Sequence, residues 1–205
     1  MITERVILGI DPGTNVLGFG VIHVCKSGPG FVDMGVIDLR KEKDPYDKLR
    51  RIFSEVGALC DKFKPDDMSI ESPFYGRNAQ VIFKLGRAQG AAITAASIRN
   101  IHVYEYAPRK AKVAITGSGS ASKEQVCTMI QRILDIKETE KFLDATDALA
   151  IAMCHYFQLS NPLSSTVAST NWTNFIKANP ERVCKVLDRG KNSSGDFKPD
   201  KDKSV

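Results

Sequence analysis

Four carboxylates interrupt otherwise apolar surroundings: Asp11 in ILGIDPGTNVLGFGVI, Glu71 in DMSIESP, and Asp144 and Asp147 in FLDATDALAIA. Asp144 and Asp147 are three residues apart, so on a helix they project from one face. Carboxylates brought close together raise one another's pKa and oppose ionisation. Hard divalent cations resolve that conflict, and an all-oxygen donor set suits Mg²⁺ or Mn²⁺. The alternatives have little support, because His23, His102, His155 and the five cysteines fall at no metal-ligand spacing and include no CxxC pair. Two ions about 4 Å apart can activate a water and stabilise the departing oxygen of a phosphodiester. The chemistry open to such a cluster is metal-assisted phosphodiester hydrolysis. Taken singly, each acid also has an ordinary reading: Asp11 as a turn former, Glu71 as a strand-end cap, Asp144 as a helix N-cap with Asp147 at N3. Four such coincidences together are much less common than one.

Only particular elements can bring these acids together. Val6 to Asp11, Gly18 to Cys25 and Phe31 to Leu39 read as a three-stranded meander, the first turn built on Pro12, Gly13 and Asn15. Apolar residues from Tyr46 to Phe63 recur at helical spacing, and Lys64-Pro65 ends that helix. A short strand, Asp67 to Glu71, again ends on an acid before Pro73 turns the chain out of the sheet. A Gly- and Ala-rich helix follows from about Asn78 to Ile98, then a strand from His102 to Tyr106. Next come a short basic helix (Arg109 to Ile115), a GSGSAS loop at 117–122, and a helix over 123–134 opened by a Ser122/Gln125 capping box. A last helix covers about 141–159. A meander followed by alternating strands and helices predicts an α/β fold: a mixed five-stranded sheet, antiparallel meander plus parallel strands, with helices on both faces and the first strand central. Asp11 and Glu71 then end neighbouring parallel strands at the sheet edge where α/β folds build their sites.

The 205 residues suffice for one domain of about 160 residues, with 161–205 as a C-terminal extension. Past Asn161-Pro162 the composition turns to Ser, Thr, Asn, Lys and Asp. Trp172, Phe175 and Ile176 are candidates for a short docked helix, with disorder expected from about Gly190. No apolar run approaches the roughly 20 residues of a membrane span and no signal-like segment opens the chain, so a cytoplasmic protein is expected. The net charge of +5 leans weakly toward a polyanionic partner.

The DPGTN turn followed by GFGVI also occurs in the actin, Hsp70 and sugar-kinase superfamily, where a D-x-G-T turn contacts nucleotide phosphate. Those proteins need two such domains, which this length does not provide. Taken together, GIDPGTNVLGFGVI, IESPFYGRNAQVIFKLGRAQG, GSGSASKEQV and DATDALAIA resemble the RuvC family of Holliday junction resolvases, within the RNase H-like superfamily, over roughly residues 5 to 160.

The resemblance implies a structure-specific endonuclease of recombination and repair that resolves four-way DNA junctions by paired, symmetric nicks. It implies Asp11, Glu71, Asp144 and Asp147 as catalytic, metal-binding acids serving two Mg²⁺ per subunit, with Mn²⁺ as a substitute. Asp11 would be shared by both ions. It further implies Phe74 stacking on a base at the opened junction, Lys112 and Lys123 contacting DNA, and Arg77, Lys84, Arg87, Arg109 and Lys110 as supporting cations. The implied partners are junction DNA, a second copy of the chain in a homodimer, and the RuvA and RuvB branch-migration proteins. The Gly/Ala-rich helix near Gly86 and Gly90 is the candidate dimer interface. Two rival activities share features with this one: an RNase H-like nuclease acting on RNA–DNA hybrids or ribosomal RNA precursors, and a phosphate-binding ATPase.

Overall fold

A computed structural model describes residues 4–73, 78–136 and 143–160. The strands are β1 (Arg5–Asp11), β2 (Val16–Cys25), β3 (Gly28–Asp38), β4 (Asp67–Glu71) and β5 (His102–Tyr106). The helices are α1 (Pro45–Phe63), α2 (Ala79–Ser97), α3 (Pro108–Thr116), α4 (Lys123–Leu134) and α5 (Leu143–Ser160). The strands form one sheet of order β3-β2-β1-β4-β5. β1 pairs antiparallel with β2 and parallel with β4, and β4 pairs parallel with β5. The expected mixed sheet, with β1 at its centre, is therefore the observed one. The expected extension over 161–205 lies outside the described residues.

Alternation along β1 divides the core. Leu8 and Ile10 face α1 and α2 together with Leu17, Val21, Ile52, Val56, Met68 and the alanines of α2. Ile7 points to the opposite face and packs with Ile22, Val24, Val126, Ile130, Leu149 and Met153 of α4 and α5. Each face buries a full set of aliphatic side chains, which fixes strand register because a one-residue slip would exchange the two sets. β5 lies at one edge of the sheet, and its His102, Tyr104 and Glu105 are exposed.

The helix ends follow local chemistry. Asp44 caps α1 by accepting from the backbone N–H groups of Tyr46 and Asp47, and Lys64 ends it in the left-handed region at φ 46°. Both halves of the Ser122/Gln125 capping box are present on α4. α5 is different, since its residues from Ala145 to His155 are buried but for Asp147. A helix apolar nearly all round belongs inside the molecule, and α5 crosses β1 and β2 as the central helix of its face.

Gly9 and Gly18 explain how close that crossing is. A Cβ on Gly9 would collide with the carbonyl oxygen of Ala148, and one on Gly18 with the carbonyl oxygen of Asp144. The strands present bare backbone there, and the first two turns of α5 rest directly on it. This contact sets the height of Asp144 and Asp147 above the end of β1.

Candidate active site

Asp11 ends β1 and Glu71 ends β4, and the parallel register pairing Ile10 with Ile70 sets the two acids side by side on adjacent strands. Asp144 lies in the first turn of α5 and Asp147 one turn on. Asp11, Asp144 and Asp147 each offer a carboxylate oxygen within 4.8 Å of the others. Glu71 stands beside this trio and lines the same cavity of about 270 Å³ with Asp11 and Asp147. Pro108, Ala111, Val126, Ala150 and Ile151 form its apolar walls.

Burial dominates the electrostatics, and crowding adds to it. Asp11 is pushed up to about 7 by burial and by the negative charges of Asp147 and Asp144, against which Lys123 pulls down. Glu71 is pushed up to about 8 by burial, then by Asp11 and Asp147, with Lys123 and Lys112 opposing. Lys123 reaches into the cluster, with Nζ 2.6 Å from Asp147 and 3.5 Å from Asp144. Burial opposes its charge, but the hydrogen bond from Lys123 to Asp147 and the surrounding acids outweigh that and hold it above the ordinary lysine range.

These residues fit a hard divalent cation. The donors are all carboxylate oxygens, they converge from three elements, and among the described residues neither His nor Cys lines the cavity. Acids raised by burial, and further by mutual repulsion, are stabilised by a positive charge placed among them.

The basic residues divide. Lys112 and Lys123 both line the acid cavity, but Lys112 also donates to the carbonyl of Ala121 at 2.7 Å, which ties α3 to the 117–122 loop. Arg109 is exposed and packs its side chain over Gly119 of that loop. Lys84 and Arg87 lie on α2 and line a separate cavity, while Lys110 sits over the ring of Tyr106. Phe74 and Arg77 lie outside the described residues. Two contributors were not singled out in the sequence. Gly18 seats α5 and is signalled only by glycine inside a strand. Lys48 donates to the carbonyl of Thr14 at 2.9 Å and to the side chain of Asn15 at 3.0 Å, bracing the turn after Asp11; no spacing in the sequence marks it.

A central strand and its parallel neighbour ending on acids, with further acids on a helix laid across them, is the architecture of an RNase H-like nuclease. A family model described as crossover junction endodeoxyribonuclease RuvC matches residues 7–155. The crossover junction endodeoxyribonuclease RuvC of Bacteroides fragilis is 50% identical over 184 residues, covering 89% of this chain and 97% of that protein. Its counterpart from Porphyromonas gingivalis is 49% identical over 184 residues, covering 88% and 97%. The structure of Thermus thermophilus RuvC in complex with Holliday junction substrate superposes with a TM-score of 0.70 at 33% identity, covering 76% of this chain and 94% of that one. The chain belongs to the RuvC family and is a crossover junction endodeoxyribonuclease. The reading as a nuclease for hybrids or ribosomal RNA precursors and the reading as a phosphate-binding ATPase are thereby set aside.

Proposed function

We propose that Asp11, Glu71, Asp144 and Asp147 are the catalytic acids and that they hold two Mg²⁺ ions, with Mn²⁺ as a substitute. The observation carrying this reading is the convergence of Asp11, Asp144 and Asp147 within 4.8 Å, with Glu71 on the adjacent strand end. Bound there, the ions would supply charge neutralisation and activation of water toward phosphorus. The protein's own part is orientation and electrostatics. Asp11 and Glu71 are fixed by the sheet and Asp144 and Asp147 by the seat of α5, so the acids need no rearrangement to act together. Lys123 and Lys112 offer positive charge to a phosphate entering the cavity. The apolar walls at Pro108, Ala111, Val126 and Ile151 lower the local polarity and so strengthen each of these interactions.

The substrate in this reading is a four-way DNA junction, and a two-fold symmetric junction calls for a homodimer making matched nicks. Along α2, Phe83 is 71% exposed and Gly86 and Gly90 stand in open space, which supports that helix as the dimer face. Phe74 stacks on a base at the junction centre, and Arg77, Lys84, Arg87, Arg109 and Lys110 add backbone contacts. The nuclease domain is residues 1–160 and the extension 161–205, the protein is cytoplasmic, and RuvA and RuvB are its partners. Among the described residues no helix is long and apolar enough to cross a membrane.

The test is cleavage of a synthetic mobile four-way junction with both strands labelled. Symmetric, Mg²⁺-dependent nicks are expected from the wild type. Asp11→Asn is expected to bind the junction and leave it uncut; substantial cutting by that purified variant would overturn the assignment.

A further inference from the structure

A second cavity, of about 380 Å³, opens on the other side of the turn that follows Asp11. One wall is the turn itself, Gly13 to Asn15; the others are the start of α1 and the side of α2 that carries Lys84, Arg87 and Ala88, not the Phe83, Gly86 and Gly90 side. Four cations line it, Lys43, Lys48, Lys84 and Arg87, and among the described residues no carboxylate does. Among the described residues none of the four is paired with an acid, although ion pairs are common elsewhere on this surface. Lys48 is spent on the turn, through the carbonyl of Thr14 and the side chain of Asn15. Lys43, Lys84 and Arg87 remain exposed around the same cavity. Convergent cations without counter-charge repel one another, and an anion among them removes that cost.

Tyr46 adds an independent feature. It lines the same cavity and is 71% exposed, an aromatic ring held on the first turn of a well-capped helix with its face free. A phosphate among cations beside an open aromatic ring is the pairing that a nucleotide satisfies, through its backbone and its base.

We propose that this cavity binds a backbone phosphate of the DNA next to the cleavage site, with the adjoining base or sugar against Tyr46. The assignment rests on DNA being the substrate and adds a second phosphate contact to the one that Lys112 and Lys123 offer in the acid cavity. Gly13 is two residues from Asp11, hence within about 7 Å of it along the backbone. The acids face α5 and this cavity faces α1 and α2, so DNA crossing the end of the sheet touches both. The turn held by Lys48 is the ridge between them, which couples the position of this phosphate to that of Asp11.

The experiment measures junction binding by the uncleaving Asp11→Asn protein as a function of salt, with and without Lys43→Met/Lys84→Met. Both side chains are exposed, and a control pair, Lys26→Met/Lys64→Met, removes the same charge at the opposite end of the sheet. Loss of one phosphate contact lowers the slope of log affinity against log salt by about 1 and weakens binding roughly tenfold at moderate salt. The control pair is expected to leave the slope unchanged. Tyr46→Ala is expected to cost roughly tenfold while Tyr46→Phe keeps wild-type affinity, since stacking needs only the ring. An unchanged slope in the Lys43/Lys84 variant, or an equal drop in the control, overturns the proposal. Inorganic phosphate or a mononucleotide that raises the melting temperature of the wild type but not of the variant, with the salt slope unaltered, assigns the cavity to a free anion and also overturns it. Failure of wild-type protein to cut junctions would overturn the proposed activity instead, so the two failures are distinguishable.

Discussion

The acids that converge at the ends of β1 and β4 and on α5 make the site unstable by themselves. Asp11 and Glu71 ionise in the unfolded chain near 4 but are raised to about 7 and about 8 in the fold. Between those values the native state binds more protons than the unfolded one, so stability falls as pH rises through the window. Metal-chelated protein is therefore expected to melt several degrees lower at pH 8.5 than at pH 5.5, with Mg²⁺ restoring the loss chiefly at the higher pH. Calorimetry with and without chelator checks both parts. For the same reason Glu71→Gln, which removes one buried charge and keeps its shape, is expected to stabilise chelated protein at pH 8 by about 1–2 kcal/mol while abolishing cleavage. Chemical denaturation of the variant reads the first effect and the junction assay the second.

At the scale of elements, the sequence carried most of the architecture. β4, β5 and α4 match their expected bounds, because Pro73, Pro108 and the Ser122 cap punctuate the chain chemically. The four acids were legible because a charge inside an apolar run is conspicuous. Spacing alone does not say which cations serve the acids, since Lys and Arg side chains are long and their targets are set in space; only the family resemblance singled out Lys112 and Lys123, which reach the acid cavity, whereas Lys84 and Arg87 line another and Arg109 covers Gly119. The seat of α5 was equally hidden, because glycine in a strand says only that something comes close. Gly18→Val is expected to destabilise by 3 kcal/mol or more, on the order of a severe overpacking with backbone as the obstacle. Ser122→Ala should cost only about 1 kcal/mol. Melting curves rank the two.

For the molecule as a whole, the sheet has a seam. β1 joins an antiparallel half, β2 and β3, to a parallel half, β4 and β5, and the site straddles that seam with one acid on each strand of the parallel pair and two on the helix above. A second anchor lies lower on the same helix. There Tyr106 and the buried His155 share a hydrogen bond of 2.7 Å at Nδ1, and Arg5 pairs with the buried Asp67. Tyr106→Phe leaves a buried imidazole nitrogen without its partner and is expected to lower stability by about 1–3 kcal/mol with little change in cleavage once folded. Denaturation and the junction assay, run on one preparation, separate these effects.

The bare-backbone seat at Gly9 and Gly18 has a consequence for how the chain tolerates change in length. Because α5 is indexed by its own carbonyls against the strands, the position of Asp144 and Asp147 does not depend on the stretch of chain that delivers the helix. A Gly-Ser insertion between residues 139 and 140 is therefore expected to preserve junction cutting. The same insertion within α5, between Asp144 and Asp147, would rotate one acid out of the cluster and abolish it. The helix behaves as a key cut to one slot: the chain before it can lengthen, and the teeth still meet the wards.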